Sequence, residues 1–184
     1  MTTLSPDSVL LGLLEARSCH GYQLLEHFRA PDRLGRIWNL STSQLYAILK
    51  RLEREELIDG REEDSVDAPM RTVYWLTERG RGALNHWLDE TEPSASTRHI
   101  RTEFLSRLYI AGLLDRPLTP IVDAQRAACV AHLESLNEAR AECPPGATWL
   151  SLELRVRELD LIIDWLGLCE PTFQQGTSST DAST

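Results

Sequence analysis

Leu45, Ile48, Leu49 and Leu52 recur at i, i+3, i+4 and i+7, the apolar stripe of an amphipathic helix. Ser41 followed by Gln44 has the form of a capping box and sets where that helix starts, since each side chain can satisfy a backbone N–H that the first turn leaves unpaired. Ser41 and Thr42 open the first turn, and Ser43, Gln44, Tyr46, Ala47, Lys50, Arg51 and Arg54 fall on the outward side, so that small polar residues come first and cations follow. A helix that enters the major groove of DNA wants this order, with short donors and acceptors for base edges near its start and longer cations for phosphates further along. An ordinary surface helix with a solvated basic face would show it as well, and this segment alone leaves both readings open.

The neighbouring pattern narrows the choice. Ser5-Pro6 opens a first helix whose stripe is Val9, Leu10, Leu13 and Leu14, and Gly21-Tyr22 opens a second, in which Leu24, Leu25, Tyr22 and Phe28 are expected in the core. After the Ser41–Arg54 segment come two short β-rich runs, Leu57 to Arg61 and Met70 to Leu76, joined by a polar loop, which predicts a hairpin. Thr77 then opens a helix carrying Ala83, Leu84, Trp87 and Leu88. A reader helix followed directly by a hairpin is the plan of a winged helix-turn-helix. Glu92-Pro93-Ser94-Ala95-Ser96 is a polar break, placing a boundary between a domain over 1–92 and one over 93–170. Beyond it lie helical stretches around Ile100 to Leu114, from Thr119-Pro120 to about Ala141, and from Trp149 to Leu168. Residues 171–184, with almost nothing to bury, read as a disordered tail.

In the last helix Trp149, Leu152, Val156, Leu159, Ile163 and Leu166 are spaced alternately by three and four, the seam of a short coiled coil. A second stripe, Leu154, Leu161, Trp165 and Leu168, runs along another side. A helix apolar on two sides must be covered on two sides, so the first stripe is taken as the dimerisation seam; a helix wholly buried in a monomeric bundle is the other reading. Trp149 and Trp165 could line a pocket for an aromatic compound or simply pack.

The chain also resembles the PadR-type transcriptional regulators, through Leu10-Leu11-Gly12-Leu13-Leu14, His20-Gly21-Tyr22-Gln23-Leu24-Leu25, the Trp38 to Glu53 segment, and Tyr74-Trp75-Leu76-Thr77 with Gly80. Order and spacing carry the likeness, strong over the first half and resting on length and helical character over the second. Ala47 stands where the family often has proline, and Glu56 where a glycine commonly ends the recognition helix. The resemblance implies a dimeric repressor of a palindromic double-stranded operator, released by a small phenolic or aromatic effector. It also inclines Tyr46 toward DNA backbone, although contact with a neighbouring subunit stays open.

Charge restricts how DNA could be held. The net charge is −9, with 11 basic and 16 acidic side chains before Pro93 and 8 against 12 after it, so neither half is basic. Binding would depend on a local cluster, Lys50, Arg51 and Arg54 on the helix with Arg61 and Arg71 at the bases of the wing strands. Glu62, Glu63, Asp64 and Asp67 make the wing tip acidic and unsuited to lie against phosphates. No apolar run reaches the length of a membrane span, and the N-terminus lacks the charge pattern of a leader, so a cytoplasmic protein without membrane partners is expected. Cys19, Cys129, Cys143 and Cys169 are scattered and the five histidines show no ligand spacing, so no metal or cofactor is expected. No phosphate loop or nucleophile elbow points to an enzyme.

The expected fold is therefore mainly α, an N-terminal winged helix-turn-helix with a two-stranded wing and an all-helical C-terminal dimerisation domain. A helical protein-interaction adaptor and a redox-responsive regulator using its cysteines are the alternatives.

Overall fold

The computed structural model describes residues 4–65 and 68–172, the side chains of 64–70 apart. The chain forms two compact units, one of Met1–Asp89 with Leu105–Arg116, the other of Glu90–Phe104 with the segment from Pro117 onward. The boundary expected at Pro93 thus falls beside the first crossing, but the chain crosses back after Phe104 and out again after Arg116. Sequence polarity marks the first crossing only, because the other two fall within or just after helix.

In the first unit α1 (Asp7–Ala16) has every residue from Val9 to Leu14 buried, more than its predicted stripe. Its Gly12 allows the close approach of α6 (Leu105–Leu113): a Cβ there would lie 2.3 Å from a methyl of Ile110. Helix α2 (Gly21–Arg29) buries Leu24, Leu25 and Phe28, whereas Tyr22 is 60% exposed, so the expectation that Tyr22 fills the core is corrected. Tyr22 follows Gly21 at the very start of α2, ahead of the Leu24-Leu25-Phe28 stripe.

Helix α3 (Thr42–Arg54) follows a turn that buries Leu34, and strands β2 (Ile58–Ser65) and β3 (Ala68–Leu76) form the predicted antiparallel hairpin. The sheet has a third strand, β1 (Cys19–His20), paired to β3, in the order β1-β3-β2; the wing is not simply two-stranded. Along β3 the alternation holds, Tyr74 and Leu76 being buried with Ile58 of β2 opposite Leu76. Helix α4 (Glu78–Leu88) is capped by Thr77, whose Oγ1 accepts the Gly80 N–H at 3.0 Å.

The second unit contains the short α5 (Thr97–His99), a π-helical turn Ile100–Phe104, and two long helices, α7 (Thr119–Glu142) and α8 (Ala147–Leu166), which pack along each other. Phe104 meets Trp165 edge to face with ring centres 6.1 Å apart, and the Arg126 guanidinium donates to the Ile163 carbonyl at 3.1 Å. Val156, Leu159 and Leu166 of the predicted seam are buried within this one chain, and Trp149, Leu152 and Ile163 are half-buried. Half of the seam is thus taken up by the chain's own packing. The exposed leucines of α8 and its end are Leu150, Leu154, Leu161 and Leu168, the last three belonging to the second stripe, with Leu161 at 70%. Pro171 and Thr172, placed by sequence in the tail, are still helical, the Thr172 N–H donating to the Leu168 carbonyl; the remainder of that tail lies outside the described residues.

Candidate nucleic-acid interface

The start of α3 is fixed by the predicted capping box. Ser41 Oγ accepts the Gln44 N–H at 3.3 Å, and Gln44 Oε1 accepts both the Ser41 N–H at 2.9 Å and the Ser41 hydroxyl at 2.8 Å. Gln44 therefore has its oxygen committed and its amide N–H groups available. It can donate to a base edge, but a bidentate adenine contact, which needs both oxygen and nitrogen, would break the cap. Ser41, Thr42, Ser43, Gln44, Tyr46, Ala47, Lys50 and Arg54 all lie exposed, opposite the buried Leu45, Ile48, Leu49 and Leu52.

Arg51 differs from its neighbours. Half-buried, it holds Asp7 of α1 with N–O distances of 2.5 and 2.7 Å and also donates to Ser5 Oγ at 3.2 Å. It ties the reader helix to α1, a role with no local signal since Asp7 is 44 positions away. Lys50 and Arg54 enter none of the ion pairs among the described residues. Arg29, not foreseen from the sequence, is exposed at the C-terminal end of α2 and donates to Thr42 Oγ1 at 3.2 Å, which adds a cation beside the reading end of α3.

The far end of α3 is closed by Glu56, at φ 58, followed by β2. Thr77 Oγ1 donates to the carbonyls of Glu56 and Leu57 at 2.7 and 3.1 Å, and the Thr77 N–H donates to Leu57, so the wing and α4 are anchored on the end of the reader helix. In the hairpin Arg61 stands opposite Val73 and Glu63 opposite Arg71, which puts both arginines on one face of the sheet. Both are exposed, as are Glu62 and Glu63; the side chains of Asp64 and Asp67, the rest of the acidic tip, lie outside the described residues.

Behind this face α6 is fastened by polar contacts. Trp38 Nε1 donates to the buried Ser106 hydroxyl at 2.8 Å, His27 Nδ1 lies 3.1 Å from the Tyr109 hydroxyl, and Arg107 donates to the Leu88 carbonyl at 2.9 Å. Burial, aided by the Arg33 cation, holds His27 below its usual pKa, and burial raises the Tyr109 hydroxyl.

The cysteines are free thiols, and burial pushes Cys19, Cys129 and Cys169 up, away from the thiolate that redox chemistry requires. Among the described residues no group of His, Cys, Asp or Glu could hold a metal, and no helix is long and apolar enough to cross a membrane.

The crystal structure of Bacillus subtilis PadR in complex with operator DNA is similar at 24% identity, covering 92% of this chain and 96% of that one with a TM-score of 0.45. The negative transcriptional regulator PadR of Bacillus subtilis is 31% identical over 107 residues, which are 58% of this chain; the match spans 57% of that relative's length. The probable transcriptional regulator Rv1176c of Mycobacterium tuberculosis is 29% identical over 179 residues, covering 88% of this chain and 93% of the relative. The model of the transcriptional regulator PadR-like family matches residues 10–86, the span that holds most of α1, all of α2 and α3, the wing and most of α4, and this span is a PadR-like domain.

Proposed function

We propose that this regulator is a cytoplasmic dimeric repressor that reads a palindromic operator with α3 in the major groove. One observation carries the reading: the outward face of α3 presents hydroxyls and the Gln44 amide at its start and Lys50 and Arg54, outside any ion pair among the described residues, at its end, with Arg61 and Arg71 exposed on the adjoining strands. Base contacts would come from Ser41, Thr42, Ser43 and Gln44, and phosphate contacts from Tyr46, Lys50, Arg54, Arg61 and Arg71. Arg51, already bound to Asp7, contributes by holding α3 in place. Repression is supported by the Bacillus subtilis relative, a negative regulator.

A second copy would cover the exposed leucines Leu154, Leu161 and Leu168 and set two reader helices about 34 Å apart on one face of the duplex. The family resemblance adds release by a small phenolic or aromatic effector. Selecting bound duplexes from a random pool tests the whole: enrichment of a palindrome with half-sites about one turn apart is expected, and no enrichment over the input would remove the operator reading. Quenching of the tryptophans by phenolic acids, with matching loss of operator binding, tests the effector.

A further inference from the structure

Beside the exposed face of α3 lies an open concavity of about 440 Å3, lined by His20, Gly21, Tyr22, Tyr46, Arg71 and Tyr74 among others. Two of its tyrosines, Tyr22 at 60% and Tyr46 at 41%, are among the exposed large side chains of the protein, and Arg71 beside them is exposed too. We infer that this concavity seats one phosphate and its deoxyribose from the DNA backbone, with Tyr22, Tyr46 and Arg71 as the contacting side chains. This rests on the DNA-binding reading above and adds Tyr22 and the start of α2 to it.

The chemistry of the lining points to an anion with an apolar body. Every exposed polar group there is a donor or can become one, phenol hydroxyls and a guanidinium, and no lining residue carries a carboxylate. Phenol rings offer flat apolar walls for a sugar while their hydroxyls point donors at phosphate oxygens, and tyrosine, arginine and helix N-termini are the usual phosphate partners of DNA-binding proteins. Helix α2, nine residues long, begins at Gly21 on the wall, so its positive end faces the same space.

The tyrosine pair is also built rather than incidental. A Cβ on Gly21 would come within 2.9 to 3.1 Å of the hydroxyl end of the Tyr46 side chain, so the absence of a side chain at Gly21 leaves room for the Tyr46 phenol against the start of α2. Tyr46 belongs at once to the outward face of α3 and to the concavity, which makes the two continuous. Acidic groups stand near but outside: Glu63 faces Arg71 across the hairpin, so the seat has room for one phosphate rather than a run of them.

The test uses the full-length protein, a random 24-base-pair duplex and the selected operator, with each phosphate in turn replaced by uncharged methylphosphonate. Tyr22→Phe, at an exposed position and one hydroxyl smaller, should weaken both duplexes about tenfold, the lower end for a hydrogen bond to a charged group. Arg71→Gln should reduce the salt slope by about 0.9. At one phosphate per half-site, neutralisation should cost the wild type affinity but cost Tyr22→Phe and Arg71→Gln little more. Gly21→Ala, which displaces the Tyr46 ring, should reproduce the loss.

If DNA binding persists but wild type and variants lose equally at every phosphate, the inference is overturned while the DNA reading stands; if no duplex binds, both fall. Competition by 4-hydroxybenzoate that Tyr22→Phe abolishes would assign the concavity to a small aromatic acid and likewise overturn it.

Discussion

Glu56 sits at φ 58, in the left-handed region, one residue past the C-cap of the reader helix, and replacing it with glycine measures the strain that helix end carries. The Schellman pattern is complete without a glycine: the Glu56 N–H donates to the Glu53 carbonyl and the Leu57 N–H to the Leu52 carbonyl, both at 2.9 Å. A residue with a Cβ in this conformation costs roughly 1–2 kcal/mol that glycine avoids. Glycine returns about 0.4–1 kcal/mol of this through its greater freedom in the unfolded chain. The Arg79–Glu56 pair, at 3.3 Å with both side chains mostly exposed, adds no more than about 0.3 kcal/mol.

Glu56→Gly should therefore stabilise the protein by about 0.5 kcal/mol, whereas Glu56→Ala, which loses the pair and keeps the strain, should be slightly destabilising. The glycine–alanine contrast, roughly 0.5–1 kcal/mol, is free of the ion pair. Urea unfolding of the three proteins with unchanged m-values reads it directly. Asp115, at φ 52 past the end of α6 with the Arg116 N–H bonded to the Ala111 carbonyl, offers a second site of the same kind. A Glu56→Gly protein no more stable than Glu56→Ala would refute the reasoning.

Gly80→Ala should cost more than about 2 kcal/mol, because the new Cβ would meet the Leu57 carbonyl oxygen at 2.0 Å and backbone cannot yield, while Gly82→Ala on the same helix, with nothing within 4 Å, should stabilise by up to about 1 kcal/mol; paired denaturation curves check both. Leu154→Glu with Leu161→Glu should give a folded monomer in sedimentation, whereas Leu159→Glu, buried within the chain, should unfold it; a folded dimer after the first pair would remove that stripe from the interface. Because His27 holds its proton less well folded than unfolded, stability should be fully present above the ordinary histidine value of 6.5 and fall as pH drops through it; His27→Gln should flatten that fall, as pH-dependent denaturation would show.

The reader helix was legible because its signals are local: the capping box and the i, i+3, i+4, i+7 stripe lie within twelve positions, and the hairpin follows at once. What sequence missed depends on contacts between distant segments. Strand β1 is only two residues long and exists because β3 pairs with it. Arg51 resembles Lys50 and Arg54 until Asp7, far back in the chain, is seen to hold it. On α8 the spacing reveals two apolar stripes but contains nothing to say which of them the same chain covers; the packing of α7 along α8, with Val156, Leu159 and Leu166 buried, decides it. The return of α6 to the first unit, through Trp38–Ser106 and His27–Tyr109, has no signature along the chain for the same reason.

The central claim, that α3 is the DNA-facing element, is tested most directly by gel-shift titration of Lys50→Ala/Arg54→Ala across salt concentrations, with Arg51→Ala beside it. The double variant should fold with wild-type stability, bind operator and random duplex more weakly alike, and lower the salt slope by about 0.9 for each phosphate it no longer neutralises. Arg51→Ala should instead lower stability by up to about 1 kcal/mol, since it releases a partly exposed pair with Asp7. Unchanged affinity of the double variant for both duplexes would contradict the account and move the interface away from α3.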